Sequence, residues 1–546
     1  MKVAIYFKDT AFTSAVEKLM GRNVAGETFM SALIEFGDLD CLALFVDDGS
    51  SQKAAFELKK KLETEVRVEI ITATNFTEMQ TALRLFMPGP DIGNLCYRRS
   101  FIRHTGWSTC GITHTTSTVR VMDGIAELLS APIQPWDAVI CTSPSVKSHA
   151  LEILDAKKNY LVHRFGIQKL PTINLPVIPL GVDTRRFENL NETKESARKS
   201  LAIKQDEVVV SFVGRLSWHA KANPLPMYIA LSEVAKMTGK KVTLLECGWY
   251  ANDASRKAFL DTQSHFAEHI RFLHVDGRGI EAVNDVYASS DIFISLSDNI
   301  QETFGITPIE AMSAGVPVVV SDWDGYRHSV RDGVDGFRIR TLVPDATHAQ
   351  DLIYRYEMNV DTYDYYCGHT SMSNIVDVGQ LIERLSQLVE NAELRREMGE
   401  AGKRRAREVY DWSVIIGQYK ELWSELDEIR MNNTDELLNA PTIWPERLDP
   451  MIGFKEYPTG KLKTTDLLTR GAVSDDLLDK VLSDHMLTYA KQVVAPLEAT
   501  RRALASLGDN FTAGELSESF APGNVPLGMR LVASLIKFDI VRIFRG

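Results

Sequence analysis

Two glutamates, Glu302 and Glu310, stand eight positions apart in ETFGITPIEAMSAGVPVVVS, with Phe304-Gly305 between them. Thr307-Pro308-Ile309-Glu310 has the form of a helix start: Thr307 caps, Pro308 takes the first helical position, and Glu310 follows three residues after the cap. Gly315 then ends the helix and Pro317 opens a buried strand. Backbone N–H groups ahead of such a helix, with the helix dipole, suit an anion, and a glycine there lets a ligand approach the backbone. A capping box alone also explains Glu310. A second stretch, SFVGRLSWHAKANP (Ser211 to Pro224), reads as a strand, a glycine, Arg215, and Lys221 six residues on. Two cations beyond the carboxyl end of a buried strand can clamp a diphosphate, Arg as a planar fork and Lys as a point charge. Solvated surface cations are the plainer alternative. In GRNVAGETF, Gly21 and Gly26 are read as flanking a helix start whose N–H groups can meet phosphate or an acceptor.

These residues need a scaffold. Short apolar runs recur, each followed by helical material: Val3–Phe7, Cys41–Val46, Val66–Ile71, Cys110–Thr113, Ala138–Cys141 and Pro176–Pro179. A second series follows at Val208–Val213, Val242–Glu246, Ile270–Val275, Ile292–Ser295 and Val316–Val320. Continuous apolar runs indicate strands buried on both faces of a parallel sheet. Two such series predict an α/β protein with two doubly wound, Rossmann-like domains, 1–180 and 181–430, facing a ligand cleft. The boundary is expected in IPLGVDTRRF (Ile178 to Phe187). Charged helical patterns fill Val378 to Tyr410 and Trp412 to Leu426. Beyond APTIWPERLDP, residues 440–546 read as a small, mainly helical appendage, with a helix, loop, helix, strand pattern near its end that is a little like half a winged helix.

A chain of 546 residues exceeds one core. A net charge of −12 argues against general nucleic-acid binding. Six scattered cysteines without a CxxC pair fit reduced thiols in a cytoplasm. MKVAIYFKDTAF reads as a first strand rather than a signal peptide, and no apolar run approaches the ~20 residues of a membrane span. Arg530, Lys537, Arg542 and Arg545 flank an apolar face in the last segment, which is expected to pack inside the appendage, with a homo-oligomer contact or an anionic inner-membrane surface as the other uses.

VVVSFVGRLSWHAK, DIFISLSDNIQETFGITPIEAMSAGVPVVVSDWDGYRHSV and DGVDGF together resemble the retaining nucleotide-sugar glycosyltransferases of glycosyltransferase family 4. VIPLGVDTRRF and VICTSPSVK are similar to family segments as well. The resemblance covers roughly 1–428 and implies the GT-B fold. It implies that Arg215 and Lys221 neutralise the donor diphosphate, that Glu310 takes ribose hydroxyls, and that Glu302 faces the donor sugar. Phe304, Gly305 and Ile306 then offer backbone N–H groups to sugar or phosphate. Lys221 departs from the family spacing, because Trp218-His219-Ala220 lengthens its loop. CGITHTTS resembles the family strand ending in Thr-His, which implies His114 as the histidine beside the donor sugar. His104 is the nearby alternative, and spacing alone does not choose between them. GRNVAGETF takes the place of the family's glycine-rich loop but lacks its adjacent Gly-Gly.

The activity so implied is transfer of a sugar from a nucleoside-diphosphate sugar to a sugar, lipid-linked or protein acceptor, with retention. No DxD motif stands in a place suited to a metal, so no metal and no further cofactor is expected. A phosphorylase or synthase on the same fold, or a nucleotide-sugar-binding regulator without catalysis, are the other readings. A nicotinamide enzyme is disfavoured because no GxGxxG follows the first strand. Arg98, Arg99 and Arg103, beside Tyr97 and Phe101, are candidates for an anionic or lipid-linked acceptor, with plain surface cations the equal alternative.

Overall fold

The computed structural model describes residues 1–12, 21–62, 64–266, 268–433 and 444–544. They form two compact units, Met1–Trp444 and Pro445–Gly546.

The first unit holds two six-stranded sheets, each wholly parallel. Strands β1 (Lys2–Tyr6), β2 (Cys41–Phe45), β3 (Arg67–Ile71), β4 (Arg84–Met87), β5 (Ser108–Ile112) and β6 (Ala138–Ile140) are ordered β3-β2-β1-β4-β5-β6. Strands β7 (Glu207–Val213), β8 (Lys241–Gly248), β9 (Arg271–Asp276), β10 (Ile292–Ser295), β11 (Val318–Ser321) and β12 (Gly336–Ile339) are ordered β12-β11-β10-β7-β8-β9. Both orders reverse beside the first strand of the series, the place where such sheets open a crevice at their carboxyl ends. The α/β architecture of two Rossmann-like sheets expected from the apolar runs is thus present, in the arrangement that the resemblance to GT-B proteins implies. Every residue of β2 and of β7 is buried, which explains why these runs do not alternate. Three strand assignments differ. Arg84–Met87 and Gly336–Ile339 are strands that the sequence reading passed over. Pro176–Pro179 is not a regular strand; its Val177 forms a lone bridge to Cys141.

Three helices matter for the site. Helix α1 (Gly21–Phe36) follows the first strand, α2 (Pro144–Phe165) follows β6, and α3 (Ile306–Ser313) follows β10. Ser143 caps α2 by accepting from the Val146 N–H, Pro144 opens the helix, and Gly166 closes it at φ +67°.

The chain crosses between the sheets twice, side by side. Val182 N–H donates to the Tyr410 carbonyl at 2.8 Å, and Trp412 N–H donates back to Val182 at 3.2 Å. Gly181 is required there, since a Cβ would lie 2.3 Å from the Trp412 ring. After the second crossing, helix α4 (Trp412–Asn432) returns to the first sheet. Its Tyr419 ring packs on Phe29 (5.1 Å) and Phe86 (5.9 Å), Asp427 pairs with Arg84, and Arg430 donates to the Thr105 carbonyl at 3.1 Å. The expected boundary at 430 therefore needs correcting: the residues after the second crossing complete the core of the first sheet.

The second unit has its own core, including Leu468, Phe511, Leu516, Val532, Leu535 and Val541. Helices Ala513–Phe520 and Val525–Lys537 and strand Val541–Ile543 follow the expected pattern. Strand Leu467–Arg470, not anticipated, lies between Asn510–Thr512 and Val541–Ile543 in an antiparallel sheet. The apolar face of the last helix packs inside this unit. Arg545 and the predicted boundary stretch 440–443 lie outside the described residues.

Candidate functional site

The helix start at Glu302–Glu310 differs from the sequence reading in an informative way. Helix α3 begins at Ile306, with Gly305 at its cap at φ +84°. A Cβ on Gly305 would lie 1.8 Å from the Tyr326 ring, and one on Gly325 would lie 2.4 Å from the Phe304 Cα. Two glycine turns thus interlock behind the loop. Thr307 is inside the helix and caps nothing; its Oγ1 is buried without a hydrogen-bond partner. The capping box is therefore absent, and Glu310 is free of that role. Its carboxylate, 14% exposed, accepts from Tyr287 Oη at 2.9 Å and from Arg186 Nη1 at 3.3 Å. Arg186 is fixed in turn by Asn284 Oδ1 at 2.8 Å. Burial raises the Glu310 pKa above its usual value, against the pull of Arg186 and Tyr287.

Arg215 and Lys221 lie beyond the end of β7. Within the longer loop, Trp218-His219-Ala220 lie in a turn closed by Lys221 N–H donating to the Ser217 carbonyl at 3.0 Å. The Lys221 ammonium pairs with the Glu302 carboxylate, and both side chains are mostly buried. Burial alone would lower the Lys221 pKa, but Glu302 reverses the sign and raises it. Burial likewise opposes ionisation of Glu302, yet Lys221 and the N–H groups of Phe304 and Thr303 hold its carboxyl below the usual range. Tyr326 Oη stands 3.5 Å from Glu302 and 2.9 Å from Ser295 Oγ.

Arg215 differs from Lys221. It is mostly buried, donates to the Ala220 carbonyl at 3.0 Å, and has no carboxylate at ion-pair distance among the described residues. Burial lowers its pKa, with Asp364 and Tyr363 acting against this only from farther away. A buried cation without a counter-ion is costly unless an anion joins it. The helices Gln350–Glu357 and Tyr363–Ser371, not anticipated as part of a site, form a cover beside it. Tyr363 Oη reaches Ser117 Oγ at 2.7 Å, and Gly368 packs on His219.

The first sheet supplies His114, just after β5. Thr303 Oγ1 donates to the His114 carbonyl at 2.9 Å, and Thr142 Oγ1 donates to the Thr303 carbonyl at 3.3 Å. His104 is 6% exposed and precedes β5, at the opposite end of that strand from the cleft. The structure thus brings Arg215, Lys221, Glu302, Phe304, Gly305, Ile306, Glu310 and His114 to the facing carboxyl ends of the two sheets. Gly26 needs correction. It lies inside α1, of which Gly21 is the first described residue, and a Cβ on Gly26 would meet the Ala11 carbonyl at 2.1 Å. Gly26 serves close packing. The arginine group needs correction too. Arg99 is fully buried in a two-bond pair with Asp137 (2.6 and 2.7 Å), and Arg98 pairs with Asp47 at 2.8 Å. Arg99 is therefore not available to an acceptor, whereas Arg98 stays part-exposed.

Sequence reasoning passed over Arg186, Tyr287, Tyr326 and Asp324. All six cysteines are buried and unpaired. Among the described residues, no helix is long and apolar enough to cross a membrane, and no group of three or more His, Cys, Asp or Glu side chains is placed to hold a metal ion.

Residues 193–359 match the family described as glycosyl transferases group 1. An uncharacterized glycosyltransferase of Methanocaldococcus jannaschii is 22% identical over 286 residues, 51% of this chain and 58% of that protein. The D-inositol 3-phosphate glycosyltransferase of Geodermatophilus obscurus is 31% identical over 193 residues, 34% of this chain and 40% of that protein. The matched stretch spans about half the length of these curated relatives. Among solved structures, Anabaena Alr3699/HepE in complex with UDP superposes with a TM-score of 0.50 at 15% identity, covering 78% of this chain and 100% of that one. A glycosyltransferase from Rickettsia africae does so with a TM-score of 0.50 at 14% identity, covering 79% and 100%. The likeness to both is one of fold.

Proposed function

We propose that this chain is a retaining glycosyltransferase that moves a sugar from a nucleoside-diphosphate sugar to a sugar, lipid-linked or protein acceptor. The observation that carries this reading is Arg215, a mostly buried guanidinium with no carboxylate at ion-pair distance among the described residues, set beside the Lys221–Glu302 pair. Such a site is incomplete without an anion, and a diphosphate fits the fork of Arg215 and the first N–H groups of the helix. The match to glycosyl transferases group 1, the relatives named as glycosyltransferases, and the UDP complex of a protein of like fold support the same donor class.

In this proposal the leaving nucleoside diphosphate develops charge against Arg215, Lys221 and the α3 N-terminus, a fixed electrostatic sink. These cations supply what a divalent ion supplies elsewhere, so we expect turnover to survive a chelator. Glu310 takes the ribose hydroxyls, and Glu302 and His114 face the sugar from opposite sheets. Front-face attack assisted by the departing phosphate would give retention. Incubation with UDP-, GDP- and ADP-sugars, with mass spectrometry of the released nucleotide and product, tests the reading. A folded protein that binds none of these donors, or binds them and never releases nucleotide with any acceptor, overturns it.

A further inference from the structure

Asp324 lies in the loop after β11, two residues before Tyr326 and beside Glu302. Its backbone is in the left-handed region at φ +42°. One carboxylate oxygen, Oδ1, accepts from Ser143 Oγ at 3.0 Å. The other, Oδ2, is buried and has no hydrogen-bond partner among the described residues. Ser145 Oγ reaches the Asp324 carbonyl at 3.4 Å and His328 Nε2 at 3.2 Å, so the start of α2 roofs this loop from the other half of the unit. A buried carboxylate oxygen left unmet costs free energy, and such an atom calls for an explanation.

Three explanations compete. A metal site is disfavoured by geometry: Asp322, the other acid of Asp-Trp-Asp, is turned to Arg338 at 3.2 Å and Arg327 at 3.6 Å and does not share the place of Asp324. A counter-ion role fails because no Lys or Arg stands at ion-pair distance from Asp324 among the described residues, and Lys221 is engaged by Glu302. Burial and the Glu302 charge instead push the Asp324 carboxyl up to about 8, so near neutrality the group is largely a neutral acid, able to donate or accept one more hydrogen bond. What remains is a ligand hydroxyl.

We propose that Asp324 is a sugar-recognition residue, its free Oδ2 hydrogen-bonding a hydroxyl of the sugar that Glu302 faces. The inference rests on the donor reading given above. It makes Asp324 a determinant of which sugar is accepted, with no part in holding the nucleotide. The roof of Ser143 and Ser145 then closes over the same sugar and shuts water from it.

Asp324→Asn and Asp324→Gly test this, since both residues tolerate a positive φ. Calorimetry on the full chain compares UDP with UDP-glucose, GDP with GDP-mannose and ADP with ADP-glucose. The expected result has two parts. Nucleoside-diphosphate affinity stays within twofold of the parent. Affinity for the matching sugar nucleotide falls about tenfold in Asp324→Gly and less in Asp324→Asn, which keeps a hydrogen-bonding amide. Unchanged sugar-nucleotide affinity in both variants overturns the proposal while leaving the donor reading intact. So does an equal loss for both members of a pair, which would make Asp324 a latch between the halves. A parent protein that binds none of the six probes overturns the donor reading and this inference together.

Discussion

Thr303 Oγ1 donates to the His114 carbonyl at 2.9 Å, tying the residue next to Glu302 to the histidine at the end of β5. The bond crosses from one sheet's loop to the other's, so the two sides of the cleft are registered at the proposed sugar position. His114→Ala keeps that carbonyl and removes only the ring. It is expected to keep nucleoside-diphosphate affinity and lose most transfer, since a contact to the sugar matters more near the transition state than in the ground state. Transfer rates within a few-fold of the parent would count against the role.

The same pair shows what a chain can and cannot reveal before it is folded. Glu302, Gly305 and Glu310 lie in one contiguous stretch, so their spacing is readable. The partners that give them meaning come from elsewhere: Arg186 from the crossover, Tyr287 from the helix before β10, and His114 from the other sheet. The helix start was misplaced by two residues because Gly305 at φ +84° lets the chain turn earlier than a Thr cap requires. Arg99 resembled an exposed acceptor cation because its partner Asp137 is 38 residues away. Strand β4 escaped notice as a four-residue run with an arginine at its head.

Arg215 couples function to a stability cost. Arg215→Met is expected to weaken nucleoside-diphosphate binding by ~2 kcal/mol or more, because a charge-assisted bond is lost in a dry cleft. It should also raise the unliganded stability by ~1 kcal/mol, since a mostly buried cation without a counter-ion disappears. Calorimetry and urea unfolding of the same variant read both. Unchanged nucleotide affinity in a folded variant would remove Arg215 from the site.

Glu246 predicts a pH effect. It is 1% exposed, and burial pushes its carboxyl up to about 7, although Tyr228 Oη and Gln263 Nε2 donate to it at 2.5 and 2.7 Å. Between its usual pKa and 7 the folded chain keeps a proton that the unfolded chain has released. This group therefore removes stability as pH rises through that window. Glu246→Gln abolishes the term, so the stability of the variant minus that of the parent should grow by on the order of 3 kcal/mol from pH 4.5 to 7.5. Urea midpoints that differ by a constant amount across that range would refute it.

The second unit is expected to be dispensable for donor binding. Pro445–Gly546 has its own core, and every residue placed at the site lies before Trp444. Trp444 itself stacks on Tyr97 at 4.9 Å and belongs with the first unit. A chain ending after Trp444 should bind nucleoside diphosphate within about threefold of the full chain, a shift below ~0.7 kcal/mol. A larger loss in a folded truncation would show that the second unit contributes to the site.

Glu302 and Glu310 should separate cleanly, because their partners differ. Glu310 meets Arg186 and Tyr287 away from Lys221, so Glu310→Gln is expected to weaken nucleoside diphosphate and sugar nucleotide alike through lost ribose contacts. A helix cap would have tolerated that change, but no capping box exists at this helix. Glu302→Gln strands the Lys221 ammonium without its counter-ion, and breaking a buried pair by removing one partner costs ~3 kcal/mol. The Glu302→Gln protein should therefore be destabilised when empty and regain stability when a nucleoside diphosphate supplies the missing charge to Lys221. Its nucleoside-diphosphate affinity should rise above the parent's, as linkage requires of a ligand that restores the lost stability, while turnover falls because the sugar has lost its carboxylate. Thermal unfolding of both variants with and without UDP, GDP and ADP, beside turnover with the matching sugars, reads these outcomes. If the nucleoside diphosphate that stabilises the parent fails to rescue Glu302→Gln, Lys221 does not touch the diphosphate, and its place is only to hold Glu302.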